Sequence, residues 1–169
     1  MTGDPFREGL AAARQGDFTS AARIWEALAN NGDARAQYNL GYLHQNGQGV
    51  PKDYNRAIEW YTRAANQGFA AAQFNLGVLL SSDDGVPPDH AAALGWYRKA
   101  AAQGDADAQF NLGVAYASGI GVEVDFVEAF RWYARAAGRG HQKAAVTLES
   151  LVEEMTPEQL SAARSGYSR

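Results

Sequence analysis

Apolar residues recur along this chain with two nested periods. The short one is helical: Ala57, Trp60, Tyr61, Ala64 and Ala65 fall at i, i+3, i+4, i+7 and i+8, the apolar stripe of an amphipathic helix. The long one is 36 residues. Ala36-Gln37-Tyr38-Asn39-Leu40-Gly41 returns as Ala72-Gln73-Phe74-Asn75-Leu76-Gly77 and as Ala108-Gln109-Phe110-Asn111-Leu112-Gly113. The Trp-Tyr stripe returns in step, as Ala93, Trp96, Tyr97, Ala100, Ala101 and as Ala129, Trp132, Tyr133, Ala136, Ala137, with a weaker copy at Ala21, Ile24, Trp25, Leu28 and Ala29.

Each unit therefore reads as helix A, a short glycine loop, then helix B. Tyr38, Leu40 and Leu43 share a helical face, which predicts helix A over 34–46, 70–81 and 106–118. The stripe predicts helix B over 54–66, 90–102 and 126–138. Asp53, Asp89 and Asp125 stand at the N-cap of helix B, and Gly68, Gly104 and Gly140 stand just past its end, where a left-handed turn favours glycine. Gly47-Gln48-Gly49-Val50, Asp83-Asp84-Gly85-Val86 and Gly119-Ile120-Gly121-Val122 are too short for strands and connect the two helices. Gly41, Gly77 and Gly113 lie inside helix A, where glycine costs about 1 kcal/mol against alanine, so a partner helix is expected to approach there. One hairpin cannot bury its own stripe, and stacked hairpins can, which makes this an all-α solenoid. The three tryptophans Trp60, Trp96 and Trp132 are expected to be mostly buried between helices A and B.

The combined pattern, A-x-x-x-L-G, then G-x-G-V-x-x-D, then A-x-x-W-Y-x-x-A-A-x-x-G, resembles the Sel1-like repeat, a relative of the tetratricopeptide repeat. Residues 34–69, 70–105 and 106–141 carry it. Residues 2–33 resemble the shorter tetratricopeptide repeat, because Gly9 to Ala21 spans four residues fewer than Gly41 to Ala57. The resemblance implies a right-handed alpha-solenoid filling residues 1–169 as a single domain. Residues 142–166 read as a helical cap. His141 to Met155 keeps a helix A position without the motif, and Thr156-Pro157-Glu158-Gln159 has the form of a capping box. Leu160 and Ala163 should pack backward, shielding the 142–155 helix, and Ser165 to Arg169 should fray.

Composition narrows the chemistry. Cysteine is absent, so thiolate metal sites, disulfides and cysteine nucleophiles are excluded; this also separates the chain from a disulfide-rich Sel1-like subgroup linked to beta-lactams. A net charge of −4 argues against nucleic acid as partner. No run of about 18 apolar residues predicts a membrane span. The start, Met1 to Leu10, has no cationic stretch leading into an apolar run, so no signal peptide is visible and a cytoplasmic location is expected; an exported chain stripped of its leader would read the same. His44, His90 and His141 form no ligand spacing, so no metal is expected. Asp83-Asp84-Gly85 with Asp89 lacks the alternating ligands of a calcium loop. Gly47-Gln48-Gly49 lacks the Lys and Ser/Thr of a phosphate loop. No nucleophile elbow occurs. No cofactor and no enzyme activity are expected.

What remains is surface. In tetratricopeptide-like stacks helix A lines a concave groove that reads an extended peptide or a helix. Carried over on Gly41, Gly77 and Gly113, the resemblance puts Arg35, Tyr38, Asn39, Tyr42 and Gln45 there in the second repeat. In the third it puts Ala71, Phe74, Asn75, Val78 and Ser81, and in the fourth Asp107, Phe110, Asn111, Val114 and Ala117. Asn39, Asn75 and Asn111 form an amide ladder. Either these amides pair with a peptide backbone, or each satisfies a neighbouring helix end. The expected function is protein–protein interaction, as an adaptor or scaffold or as a dedicated inhibitor or immunity-type partner, in a monomer.

Overall fold

The computed structural model describes residues 4–165, which form ten helices and no strand. They fall into two compact units that meet in sequence between Pro88 and Asp89, in the connector of the third repeat. The first holds α1 (Pro5–Arg14), α2 (Phe18–Asn30), α3 (Ala34–Asn46), α4 (Tyr54–Asn66) and α5 (Ala70–Ser81). The second holds α6 (His90–Ala102), α7 (Ala106–Ser118), α8 (Phe126–Gly138), α9 (Gln142–Glu154) and α10 (Pro157–Ser165). In each unit successive helices pack on one another, α1 to α5 in order and α6 to α9 in order. The helix A and helix B spans expected from the stripe are those observed. Of the tail expected to fray, Ser165 is instead the last residue of α10, and 166–169 lie outside the described residues, as do residues 2 and 3 of the first repeat.

The ends explain this agreement. Asp17, Asp33, Asp53, Asp89, Asp105 and Asp125 each accept a backbone N–H of the first turn through the side chain, which satisfies donors that the helix itself leaves open. Phe69 breaks the series and caps α5 without a side-chain bond. Helices α3 and α7 end on Gly47 and Gly119 in the left-handed region. Helix α5, whose copy of that glycine is Asp83, ends on an extended Ser82 instead. The connectors close on backbone bonds, Asp53 N–H to His44 O and Asp125 N–H to Tyr116 O, both 2.9 Å. His44 is buried, with Nδ1 3.3 Å from the Pro51 carbonyl.

Two of the glycines inside helix A, Gly41 and Gly113, do mark a close approach, and what approaches is a tyrosine ring. A Cβ on Gly41 would stand 2.6 Å from Tyr61 Cδ1, and one on Gly113 would stand 2.5 Å from Tyr133 Cδ1. Tyr61 and Tyr133 are 0% and 2% exposed. The tryptophans are mostly buried as expected, but less deeply than the tyrosines beside them. Trp60 is buried, but Trp96 and Trp132 are only half-buried. Each tryptophan sits at the margin of its stripe under a cation three residues further on: Arg63 over Trp60, Lys99 over Trp96, Arg135 over Trp132. The tyrosine beside each Trp60 and Trp132 carries the deep packing.

A second device joins one hairpin to the next. The glutamine before each repeated aromatic is buried, and its amide reaches back eight residues to the last turn of the preceding helix B. Gln37 Nε2 donates to Ala29 O at 3.0 Å, Gln73 to Ala65 O at 3.1 Å and Gln109 to Ala101 O at 3.1 Å. Gln37 Oε1 in turn accepts from Gln67 Nε2 at 2.8 Å.

The cap also differs in detail. Its capping box forms as expected, with Gln159 N–H donating to Thr156 Oγ1 at 3.3 Å and Thr156 N–H to Gln159 Oε1 at 2.9 Å. Beyond the expectation, α10 also packs on α8: Ala163 and Met155 bury in one cluster with Leu151, Ala129 and Phe130, and Arg131 Nη2 donates to Ala162 O at 3.1 Å. Helix α10 follows α9 after a two-residue turn, and Val146 of α9 stays 65% exposed.

Two outcomes check this packing. Tyr133→Ala should cost about 3–5 kcal/mol in denaturant melts, the range for a buried large aromatic, and Trp132→Ala distinctly less. Gln37→Met keeps the side-chain length and removes two hydrogen bonds; at about 0.5–1.5 kcal/mol each, a loss of about 1–3 kcal/mol is expected. A melt unchanged by Gln37→Met would make the stitch incidental.

Candidate protein-binding faces

The expected groove residues divide between the two units. In the first unit, α4 supplies a residue that the sequence reading placed only in the core: Tyr61. Its ring is buried on Gly41, and its hydroxyl reaches the face of α3 and α5. There it donates to Gln45 Oε1 at 2.8 Å and accepts from Asn75 Nδ2 at 3.3 Å. Asn75 Nδ2 also lies 3.4 Å from Tyr38 OH. The Tyr38 ring packs between Tyr61 and Phe69, at centroid distances of 5.7 and 5.2 Å. Tyr38, Gln45 and Asn75, chosen from three separate turns, are thus brought together by one phenol. The signal was present, since a tyrosine in place of phenylalanine on a buried stripe needs a partner for its hydroxyl.

The other expected residues of this face behave differently. Arg35 is not free. Its guanidinium pairs with Asp33 at 2.7 Å and lies over the Phe6 ring at 4.2 Å, and it holds the Asp33 carboxyl below the usual range. Asn39 is half-buried and its amide makes no hydrogen bond among the described residues, while Tyr42 is 46% exposed. Phe74 and Val78 are half-buried, and Ser81 turns its hydroxyl onto Val78 O. The face therefore offers phenols and amides, with its one cation neutralised.

In the second unit Phe110 stacks on the His141 ring at 4.6 Å and packs against Tyr133 at 5.6 Å. His141 caps α9, its Nδ1 accepting from Ala144 N–H at 3.0 Å, which leaves Nε2 to donate toward Asp107 Oδ1 at 3.1 Å. Phe110 and Val114 belong to the core packing of this unit as much as to its surface. Asn111 is half-buried and its amide is unbonded among the described residues. The asparagine ladder is thus not uniform: Asn75 is engaged and Asn39 and Asn111 are not. Tyr133 has no network like that of Tyr61, because the copies of Gln45 and Asn75 are Ala117 and Thr147. Among the described residues no group of three His, Asp or Glu is placed to hold a metal, and no helix is long and apolar enough to cross a membrane.

The Sel1 repeat pattern matches residues 34–69, 70–105 and 106–141, more than half of the chain. The chain belongs to the Sel1 repeat family. Family members of known structure share the fold. A Sel1 repeat protein from Oxalobacter formigenes superposes with a TM-score of 0.78 at 35% identity, covering 83% of this chain and 58% of that one. The protective antigen c5321 of uropathogenic Escherichia coli, which displays the Sel1-like fold, gives 0.55 at 30% identity over 96% of this chain and 44% of its own. Two eukaryotic relatives match over shorter stretches. The ERAD-associated E3 ubiquitin-protein ligase component HRD3A of Arabidopsis thaliana is 36% identical over 61 residues, 36% of this chain and 9% of that protein. The mouse DAP3-binding cell death enhancer 1 is 36% identical over 50 residues, 30% of this chain and 10% of that protein. The chain thus spans about a tenth of these two relatives.

The buried phenols of these Sel1 repeats make the fold sensitive to alkali. Burial disfavours the phenolate and pushes Tyr133 up to about 12, and raises Tyr38 and Tyr61 as well. An unfolded tyrosine loses its proton near pH 10. Stability present below pH 10 should therefore be lost as pH rises toward 12, at up to about 1.4 kcal/mol per pH unit for Tyr133. Tyr133→Phe should flatten that decline in melts across the same range. A decline just as steep would assign it to other groups.

Proposed function

We propose that this Sel1 repeat chain is a protein–protein interaction module, an adaptor or scaffold, and that the α3/α5 face around Tyr61 holds a peptide or helix of another protein. Membership of the family supports the general reading, as do the names of two relatives: one is a component of a ubiquitin-ligase assembly and the other binds DAP3. The observation that carries the finer reading is the Tyr38–Asn75–Tyr61–Gln45 network with Asn39 and Tyr42 beside it. Aromatic rings supply contact area at small entropic cost, since each is held by two torsions already fixed by packing. Phenols and amides donate and accept at once, so they engage backbone N–H and C=O groups of an extended segment or the open end of a helix. Helices α3, α4 and α5 place them on rigid elements, so little ordering remains to be done on binding. With Arg35 neutralised by Asp33, the face does not select an acidic chain end.

The test is a photoreactive phenylalanine analogue placed at Tyr42 and, as a control, at Arg56, an exposed position of α4. Irradiation in source cells should give a discrete adduct with another protein from Tyr42 and none from Arg56. With that partner in hand, Asn39→Ala should weaken binding by about 0.5–1.5 kcal/mol, roughly two- to tenfold, with the melting temperature unchanged. Adducts from Arg56 alone, or full affinity in an Asn39→Ala/Asn75→Ala double variant, would remove the face from consideration.

A further inference from the structure

Helix B of every Sel1 repeat carries a cation over its tryptophan: Arg63 at 4.6 Å from the Trp60 centroid, Lys99 at 3.9 Å from Trp96, and Arg135 at 4.6 Å from Trp132. In the second repeat that cation is neutralised within its own helix. Glu59, one turn earlier, accepts from Arg63 Nη2 at 2.6 Å. In the next two repeats the position of Glu59 is taken by Gly95 and Arg131. Lys99 and Arg135 have no carboxylate at ion-pair distance among the described residues, and the nearby Glu128 is engaged by Arg131 at 2.6 Å.

Gly95 is the second observation. A glycine inside a helix weakens it relative to alanine, and Gly113 repays this by admitting the Tyr133 ring. Gly95 repays nothing within the chain: a Cβ there would meet no atom within 4 Å. It leaves an open notch on α6, one turn before Lys99. A third cation joins this side. The Arg139 guanidinium lies over Gly104 at the end of α6, 2.7 Å from where a Cβ would stand. Lys99, Arg135 and Arg139 are all exposed. Lys99 and Arg135 sit in last turns, where a helix dipole favours cations, but Arg63 does too and still has its glutamate, so position alone does not account for the missing carboxylates.

We infer that the exposed side of α6 and α8 binds an Asp- or Glu-bearing segment of another protein. One carboxylate of that segment seats over Gly95 beside Lys99, in the place that Glu59 holds beside Arg63, and others meet Arg135 and Arg139. Lys99 and Arg135 are held against tryptophan rings, which restricts their side chains before binding and strengthens their hold on a desolvated anion. A short acidic protein segment is favoured over nucleic acid because it need meet only these cations, within about a Debye length, whereas a long polyanion would also run over the rest of a chain whose net charge is −4. The inference does not depend on the Tyr61 face, and its test leaves that face unaltered.

The experiment uses the full chain and a fluorescein-labelled peptide of alternating Glu and Ser, read by anisotropy. Binding should weaken at least about tenfold between low and about 0.5 M salt. Gly95→Glu restores the carboxylate in cis: it should raise the melting temperature, as glutamate is the better helix former, yet weaken the peptide at least about tenfold. Gly95→Ala should raise the melting temperature and keep affinity within about threefold. Lys99→Ala/Arg135→Ala/Arg139→Ala should lose binding at least about tenfold and stay folded. The inference is overturned if the parent chain ignores the peptide, if Gly95→Glu binds it as the parent does, or if a single-stranded oligonucleotide of equal charge binds more tightly.

Discussion

A tyrosine ring packed on a helical glycine closes the hairpins α3–α4 and α7–α8, and much else follows from that contact. The ring occupies the space that a side chain at Gly41 or Gly113 would need, so the helices come close enough for the small Ala57, Ala64 and Ala129, Ala136 rows to bury completely. Burying the ring also fixes where its hydroxyl emerges. In the first unit that point is the face of α3 and α5, so the residue that locks the hairpin also organises Tyr38, Gln45 and Asn75. Core and candidate face are joined through one side chain, and a change at Gly41 acts on both.

The buried glutamines impose a complementary constraint between hairpins. Ala29, Ala65 and Ala101 lie in last turns, where carbonyls lack intrahelical partners, and each receives the Gln amide as well as a turn bond from Gly32, Gly68 or Gly104. An apolar side chain of equal size would pack there but would not fix the register of one helix against the next. The 36-residue step survives because Gln, Gly and Tyr all depend on it at once.

Helix limits were legible in the sequence because the caps are local: an aspartate finds its N–H two or three residues away, whatever the rest of the chain does. Depth of burial was less legible. Trp60, Trp96 and Trp132 share the stripe with their tyrosines, and periodicity alone does not say which of two adjacent aromatics points inward; the cation three residues later marks the outer one. The glutamines recurred in the pattern without a role, because their acceptors lie on another helix. The α10 packing on α8 depended on the angle of a two-residue turn, which no pattern encodes. Of the groove positions, the sequence brought out Tyr38, Gln45 and Asn75 as neighbours of one face without the phenol that connects them. It also put Arg35 among the groove positions without its partner Asp33, the N-cap of the same helix.

Repeats of one ancestry diverge where packing leaves them free. The Gln, Gly and Tyr positions keep their chemistry in the second and fourth repeats, since each change there has to be met by a neighbour. Glu59, Gly95 and Arg131 occupy one repeat position and carry three different charges, and Asp33, Phe69 and Asp105 show that even a cap gives way once. Glycine rather than glutamate inside a helix lowers stability, and without a carboxylate at that position Lys99 is left without an ion-pair partner among the described residues. Two unfavourable steps at one site are harder to assign to drift alone than to a surface kept open for a partner that supplies the missing charge.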